Sequence, residues 1–414
     1  MIQETPNLAQ AVSPRTRGLF LKNLGDFQTE LARIHAGFLP AFAVWRQRKE
    51  FPAHIFRSLR RVQDLRQRGR ELGVSFQEMH HAGGVAGREL LDAVCHARGV
   101  AELLRGGVIA VSRALLDGID AYLADNARIY DQPTVPLLAA SRDELAAQVK
   151  WAEAALAELA AQTGEGPAVD FVARIDALAA GLAAELREAP INRGGGMCPR
   201  RRVGTLPWAD ATLPVGFRHL EFGPEPVPRD STYEQRARYH AVNFLQEVQA
   251  ADSCASILFE SPDMPWDYFF DLGRQMWDEA RHAVFGETKL AEFGLTAAQA
   301  GLSTKAYAMR QTLAPLDRYA ALSTQEADAF PGKHQGLKDA LAHHDATSAT
   351  GWSYDIADET QHVRFGAKWI PVMIEKTGES RGVEQVRADA ENWRASVFAE
   401  VYKPAAATLR PVVQ

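Results

Sequence analysis

Long amphipathic segments dominate this sequence and restrict it to a helical fold. Apolar residues recur at i, i+3, i+4 and i+7 through stretches rich in Ala, Leu, Arg and Glu, and runs that alternate apolar and polar residues are almost absent. This spacing gathers the apolar side chains on one face of a helix, whereas a strand needs a period of two. The sequence therefore predicts a nearly all-α protein.

The helical patterns fall into two regions separated by a segment rich in proline and glycine. The chain has 414 residues, more than one compact core usually contains. Residues 189–231 concentrate proline and glycine, which the interior of a helix excludes. We therefore expect an N-terminal helical domain over residues 1–188, a connecting segment over 189–231 and a second helical domain over 232–414.

Composition and charge indicate which classes of partner and which cellular location are expected for the protein. A net charge of −6 and a pI near 6.1 argue against a nucleic acid or an anionic membrane held mainly by bulk charge. Three widely spaced cysteines without a C-x-x-C pair fit neither a disulfide framework nor a zinc site. The amino terminus lacks the pattern of a secretory signal, and no run of eighteen apolar residues occurs. We expect a cytoplasmic protein that binds neither nucleic acid nor membrane.

One short pattern occurs twice in the second helical region. Glu279 and His282 stand three positions apart in "WDEARHAVFGE", and Glu359 and His362 do the same in "ADETQHVRFGAKW". With twelve histidines in 414 residues, about one such pair is expected by chance. Chance does not explain why an aspartate precedes the glutamate in both copies, or why "HAVFG" in one matches "HVRFG" in the other.

A single glutamate precedes each motif at nearly the same distance. Glu247 lies 32 residues before Glu279, and Glu326 lies 33 residues before Glu359. Helical phase places both single glutamates on largely apolar faces, where a carboxylate is costly unless it is paired, hydrogen-bonded or bound to metal. Four carboxylates and two imidazoles suit two first-row divalent ions. The sequence predicts a dinuclear metal site formed by Glu247, Glu279, His282, Glu326, Glu359 and His362.

The second region also predicts a bundle of four long helices. Helical patterns cover, in order, residues 232–260, 264–293, 303–330 and 337–376. A repeated glutamate, about thirty residues and then Asp-Glu-x-x-His resembles the ferritin-like diiron carboxylate superfamily, over roughly residues 235–376. The resemblance implies a ferritin-like four-helix bundle with a diiron site. In that family the glutamates equivalent to Glu279 and Glu359 bridge the metals at the catalytic centre, and those equivalent to Glu247 and Glu326 are mostly terminal ligands.

The resemblance also implies roles for the polar residues beside the ligands. Asp278 and Asp358 would each accept a hydrogen bond from the free N–H of a ligand histidine and so fix its tautomer. "DEARH", with Arg281, matches the D-E-x-R-H form seen in hydroxylases of this superfamily. "DETQH" departs from that form at Gln361, so the contacts around the second motif do not follow from the resemblance.

The function that the resemblance implies is that of a non-haem diiron oxidoreductase. We expect an O2-dependent oxygenase or oxidase acting on a small organic substrate, with two iron ions as cofactor, manganese as a substitute and dioxygen as co-substrate. The absence of a four-cysteine module disfavours a rubrerythrin-like peroxidase. The absence of a tyrosine shortly after Glu247 disfavours a ribonucleotide reductase small subunit. An electron donor, a homodimer and the identity of the substrate stay open.

Two other classes of function are compatible with the same residues. A ferroxidase or metal-handling ferritin-like protein would use the site without an organic substrate, although a storage ferritin does not need the additional N-terminal domain. A non-catalytic structural protein would use the six side chains as a buried salt-bridge network. That interpretation does not predict equal spacing in the two halves.

Two weaker patterns lie in the N-terminal region. Glu78 and His81 form a third E-x-x-H pair, but Ser75 makes a capping box with Glu78, so we expect a helix start there. "RDELAAQVKWAE" resembles the two motifs and places Gln148 where a ligand histidine would stand, with Ser112 in place of the single glutamate. We expect the N-terminal domain to be a degenerate, metal-free relative of the bundle, unless this similarity is chance between two Ala-rich helices.

Overall fold

The described part of the protein is mostly helical. A computed structural model describes residues 13–75, 85–124, 130–188, 206–228 and 230–401. Within these ranges no β-strand occurs, and an isolated bridge joins His219 to Leu302. The prediction of an all-α protein is confirmed. Glu78 and His81 lie outside the described residues, so the capping box stays a prediction.

Fifteen α-helices lie in the described part of the chain, and the long segment between Glu188 and Tyr233 separates the seventh from the eighth. In order they are α1 Pro14–Gly37, α2 Trp45–Glu71, α3 Val85–Cys95, α4 Val100–Glu102, α5 Val111–Ala124, α6 Thr134–Thr163, α7 Val169–Glu188, α8 Tyr233–Gln246, α9 Val248–Glu260, α10 Trp266–Glu292, α11 Ala297–Ala300, α12 Lys305–Arg310, α13 Pro315–Ala342, α14 Ala346–Thr377 and α15 Val383–Val401. A π-helical segment, Leu103–Ala110, joins α4 to α5, and a 3-10 turn, Leu39–Ala41, follows α1. None of the helices in the described ranges is long and apolar enough to cross a membrane.

The chain divides into two compact units that do not coincide with two continuous stretches of sequence. The first unit contains the described residues up to Phe38 and those of Arg57–Pro207. The second contains Leu39–Phe56 and the described residues from Trp208 onward. Helix α2 therefore contributes to both units. The hydrophobic pattern gave no sign that residues 39–56 belong to the second unit, because a continuous helix has the same periodicity in either.

The first unit packs α5 against α6 and α7, and α3 against α7. Its core includes Leu145 and Ile175, which have almost no exposed surface. His35 on α1 is also buried, and its Nε2 donates a hydrogen bond to Gly107 O at 3.1 Å. Burial lowers the pKa of His35 from 6.5 to about 4, although the hydrogen bond to Gly107 opposes the shift.

The second unit packs α10 against α8, α9 and α14, and α13 against α9, α14 and α15. Two glycines permit the closest approaches. A Cβ on Gly286 of α10 would overlap the backbone carbonyl of Ala241 on α8, and a Cβ on Gly366 of α14 would overlap Ser323 Oγ on α13. These glycines therefore let the helices that carry the predicted ligands lie directly against one another.

The third and fourth long helices have different bounds from those predicted. The third was predicted over 303–330, but Lys305–Arg310 is a separate short helix and α13 runs from Pro315 through Pro331 to Ala342. Pro315 occupies a favourable position in the first turn, and the helix continues through Pro331 even though a proline inside a helix removes one hydrogen bond. The fourth helix begins at Ala346 and continues without interruption through Gly351.

Part of the predicted connecting segment is ordered against the second unit. Thr212 N donates to Pro40 O and Val215 N donates to Ala43 O, each at 2.8 Å. Leu220 N donates to Leu302 O at 2.9 Å. These bonds supply backbone partners that an irregular chain would otherwise lack. Residues 189–205 lie outside the described part of the chain.

Candidate metal centre

The six predicted ligand residues come together in the interior of the second unit. They are carried by four stretches of helix: Glu247 between α8 and α9, Glu279 and His282 on α10, Glu326 on α13, and Glu359 and His362 on α14. Five of the six are buried, with at most 5% of their surface exposed. The cluster is thus formed by polar side chains of helices and of the turn between α8 and α9.

Glu247 lies at a break in an otherwise continuous helix. Its N–H donates to Phe244 O, and its carbonyl accepts from the N–H groups of Ala250 and Ala251. This tight turn ends α8 and begins α9, and such irregular turns inside helices often mark functional positions. The Glu247 side chain is 26% exposed, so the cluster opens to solvent beside it.

The first group of atoms surrounds the ring nitrogen Nδ1 of His282. Glu247 Oε2 lies 2.9 Å from it, Glu279 Oε2 lies 3.6 Å from it, and Asp355 Oδ1 lies 3.5 Å from it. Three carboxylates from three stretches of helix therefore face one imidazole nitrogen. We call these residues the His282 group.

The second group surrounds Nδ1 of His362 in the same way. Its neighbours are Glu279 Oε1 at 3.3 Å, Glu326 Oε1 at 3.8 Å and Glu359 Oε2 at 3.7 Å. We call these residues the His362 group. Glu279 belongs to both groups, because one of its oxygens faces each histidine.

Asp355 and Lys333 take part in the cluster and were missed by the sequence analysis. Asp355 lies one turn before Glu359 on α14 and is fully buried. Lys333 Nζ donates to Asp355 Oδ1 at 2.7 Å and to Glu359 Oε1 at 2.8 Å, and lies 3.9 Å from Glu247 Oε1. A comparison with α10 could have drawn attention to Asp355, because the position one turn before Glu279 is also polar: Gln275.

The aspartate of each motif contacts the histidine of the other motif. Asp358 Oδ2 lies 3.3 Å from His282 Nε2, and Asp278 Oδ2 lies 3.4 Å from His362 Nε2. A carboxylate at Nε2 holds a ring proton there, and the Nδ1 atom then faces the cluster.

Two arginines of α10 connect these aspartates. Arg281 contacts Asp278 Oδ1 at 3.2 Å and also pairs with Asp358 Oδ2. Arg274 Nε donates to Asp278 at 2.8 Å, and its Nη2 lies 3.7 Å from Asp358 Oδ1. Asp358 therefore has arginine partners although its own motif carries Gln361 where the first motif carries Arg281.

Burial and crowding shift the ionisation of the cluster. Burial, followed by the nearby Glu359 carboxylate, raises the pKa of Glu326 well above its ordinary value. Burial and the charge of Glu247 raise the pKa of Asp355 to about 7. Burial lowers the pKa of His362, but the carboxylates around it outweigh that effect and the pKa lies well above its ordinary value. The cluster is therefore an accumulation of negative groups that favours cations.

Many atoms of the cluster have no hydrogen-bond partner among the described residues, although they are buried. They are Glu247 Oε2, Glu279 Oε1, His282 Nδ1, Glu326 Oε2, Asp355 Oδ2, Glu359 Oε2 and His362 Nδ1. His282 Nδ1 and Glu247 Oε2 are close enough for a hydrogen bond but are not aligned for one. Unsatisfied buried polar atoms are costly, and oxygen and imidazole donors are those that first-row divalent ions bind. The residues present fit a pair of such ions.

A cavity of about 360 Å³ lies between α8, α10, α13 and α14, close to the His282 group. Phe244, Phe285 and Trp352 form its aromatic part, and the Phe285 ring centroid is 5.6 Å from that of His282. His240 contributes a further ring, edge-on to Trp352. Phe285 thus lines the cavity and also packs near His282 of the cluster.

Comparison with known proteins points to the same half of the chain. Residues 211–408 match the family described as "Protein of unknown function (DUF455)". The matched region contains every residue of the cluster, including Lys333 and Asp355. Neither a curated protein nor a solved structure matches the chain significantly.

Proposed function

We propose that α8 with α9, α10, α13 and α14 form a ferritin-like four-helix bundle that binds two divalent metal ions. Iron is the proposed metal and manganese its closest substitute, since affinity alone does not select iron from a site of this composition. The observation that carries the proposal is the pair of histidine-centred groups that share Glu279 and contain buried atoms without partners. Glu247, Glu279 and Asp355 with His282 would hold one ion, and Glu279, Glu326 and Glu359 with His362 would hold the other.

We propose further that the protein is an O2-dependent diiron oxygenase or oxidase of a small organic substrate. Two reduced iron ions, when bound, supply the electrons with which dioxygen is activated. Glu279 presents one oxygen to each metal position, and Asp278 and Asp358 would hold the Nε2 proton of the histidines so that Nδ1 faces a bound ion. The partly exposed Glu247 lies where a small molecule would reach the cluster from solvent.

The aromatic cavity favours an organic substrate over the ferroxidase alternative. Phe244, Phe285 and Trp352 offer an apolar surface of the kind that binds small molecules. The structural alternative accounts poorly for the seven buried atoms that lack an aligned hydrogen bond, because two of them, Glu326 Oε2 and Asp355 Oδ2, make no ion-pair contact either among the described residues.

Metal analysis and rapid mixing with dioxygen test the proposal. The full chain is loaded anaerobically with Fe(II), its metal content is measured, and stopped-flow absorption follows the reaction with O2. We expect two ions per chain in the wild type, and one or none in His282→Ala and in His362→Ala. His334→Ala is the matched control, because His334 is an exposed histidine on α13 and should leave both ions bound.

The outcomes separate the three classes of function. Two bound ions in both histidine variants would reject the proposed ligand set. A ferroxidase would oxidise two ions rapidly and then release Fe(III). In that case small aromatic or aliphatic compounds, added with a chemical reductant, would not increase the rate of O2 consumption. If the wild type binds no metal and the histidine variants differ from it only in the free energy of unfolding, the structural alternative would be supported.

A further inference from the structure

The two halves of the cluster correspond position by position along the sequence. The two motifs match each other, and the single glutamates Glu247 and Glu326 match in the same register. Such correspondence alone predicts two positions with similar affinity for a metal ion. The contacts of Lys333 show that the positions differ.

Two positions break the correspondence. One turn before the motif glutamate, α10 carries Gln275 and α14 carries Asp355. Seven residues after the single glutamate, α9 carries Cys254 and α13 carries Lys333. Burial raises the pKa of the Cys254 thiol, so that position carries no charge, whereas Lys333 brings an ammonium group into the cluster.

Lys333 contacts both groups unequally: it contacts two carboxylates of the His282 group, Asp355 and Glu247, and one of the His362 group, Glu359. Lys333 Nζ bonds Asp355 Oδ1, the oxygen that lies 3.5 Å from His282 Nδ1. It also bonds Glu359 Oε1, which directs the other oxygen of Glu359 toward His362. On the opposite side, Glu326 accepts a neutral hydrogen bond from Gln275 Nε2 at 2.8 Å.

We propose that Lys333 makes the two metal positions unequal, so that the His362 group binds its ion first and the His282 group binds the second ion more weakly. This inference rests on the proposed dinuclear site. An ion in the His282 group has to share Asp355 with an ammonium and lies close to that positive charge. An ion in the His362 group would meet Glu279 and Glu326, for which no contact with Lys333 is seen among the described residues, and Glu359, whose other oxygen bonds Lys333. At separations of a few ångströms inside a protein, the repulsion of a unit charge exceeds what a tenfold difference in affinity requires.

Equilibrium binding of Mn²⁺ to the full chain tests the inference without measuring activity. Room-temperature EPR counts free Mn²⁺, and low-temperature EPR distinguishes a single bound ion from two coupled ions. In the wild type we expect two steps whose Kd values differ by at least about tenfold, with an uncoupled spectrum at one equivalent. His362→Ala should remove the tighter step, and His282→Ala should remove the weaker one.

Removal of Lys333 should strengthen the weaker step. Lys333→Met is expected to tighten the second Kd by about tenfold or more and to produce the coupled spectrum at lower Mn²⁺. Lys333→Met with Asp355→Asn removes the cation and the extra carboxylate together, so it leaves no additional buried charge and is the variant expected to fold. In it the two steps should nearly coincide. Lys338→Met, at an exposed lysine of α13, is the matched control and should retain the wild-type steps.

Other outcomes overturn the inference in distinguishable ways. A single binding step for two ions in the wild type would overturn it and leave the dinuclear proposal standing. A weaker second step in Lys333→Met would also overturn it, because Lys333 would then support the second ion. The inference fails as well if the steps in the double variant stay as far apart as in the wild type. No Mn²⁺ or Fe(II) binding in the wild type would instead reject the proposed function, and the inference with it.

Discussion

Asp278 on α10 contacts His362 on α14, with 3.4 Å between Oδ2 and Nε2. The reverse contact joins Asp358 on α14 to His282 on α10. Neighbouring residues in a helix point about 100° apart, so an aspartate directly before a cluster glutamate faces the adjacent helix and not the interior of its own group. Each motif therefore orients the histidine of the other, which explains why Asp and Glu are adjacent in both.

Replacing either aspartate should weaken metal binding without removing a metal position. We expect Asp278→Asn and Asp358→Asn each to lower metal affinity by about 10- to 100-fold, because the amide no longer fixes the histidine tautomer, while two ions still bind at saturation. Metal titration of the full chain measures this. Asp267→Asn, at an exposed position of the same helix as Asp278, is the control. Loss of one ion at saturation would mean that the aspartate itself is a ligand.

Repetition made the six central residues predictable. The doubled motif and the spacings of 32 and 33 residues indicate that Glu247 and Glu326 occupy equivalent positions. Helical phase then places both glutamates on largely apolar faces. Lys333 and Asp355 have no matching partners in the other half, and a lone buried Lys–Asp contact between two helices leaves no periodic signal. The bounds of α13 were mispredicted for a related reason: the cost of Pro331 is offset by packing that the local sequence does not reveal.

Adding one methyl group at the closest helix contacts should destabilise the second unit. Gly286→Ala and Gly366→Ala would each force a Cβ into an atom of the neighbouring helix, Ala241 O or Ser323 Oγ. We expect each to lower the free energy of unfolding by about 1–3 kcal/mol, measured by urea denaturation. Gly332→Ala is the matched control.

The control has the opposite expected sign. Gly332 is an exposed glycine inside α13, and a Cβ there would meet no atom within 4 Å among the described residues. Alanine reduces the freedom of the unfolded chain, so we expect a gain of about 0.5–1 kcal/mol. If all three substitutions changed the free energy of unfolding equally, helix propensity and not close packing would explain the effect of replacing these glycines.

A buried ion pair in the second unit gives a test of charge burial. Arg48 and Asp252 form a salt bridge in which neither side chain has exposed surface, and Arg48 also donates to Thr212 O. Burial raises the pKa of Asp252, although the charge of Arg48 opposes the shift. Arg48→Met leaves this carboxylate without its cation and should cost about 3–5 kcal/mol in unfolding free energy.

The double variant distinguishes the loss of the pair from the burial of a single charge. Arg48→Met with Asp252→Leu removes both charges from the core, and we expect it to be more stable than Arg48→Met alone. Urea denaturation of the wild type, both single variants and the double variant gives the coupling energy. If the changes in unfolding free energy of the two single variants add up to that of the double variant, the two side chains do not stabilise each other.

In the first unit, His35 should make stability depend on pH between about pH 6.5 and pH 4. Its pKa in the folded protein is about 4, below the ordinary value of 6.5, so between these values the unfolded chain binds the additional proton. The contribution of neutral His35 is therefore complete above about pH 6.5, is lost as the pH falls toward 4 and does not change further below that. A shift of this size corresponds to about 3 kcal/mol.

A variant that cannot titrate isolates this effect from that of the carboxylates. His35→Gln keeps an amide donor in reach of Gly107 O but has no proton to gain, so its unfolding free energy should fall less steeply from about pH 6.5 to pH 4 than that of the wild type. His96→Gln, at an exposed histidine, should follow the wild-type curve. Urea denaturation with pulse-labelling hydrogen exchange of peptides from α1 reports the unit that contains His35. Parallel curves for the wild type and His35→Gln would show that His35 gains its proton in the folded protein as readily as in the unfolded chain.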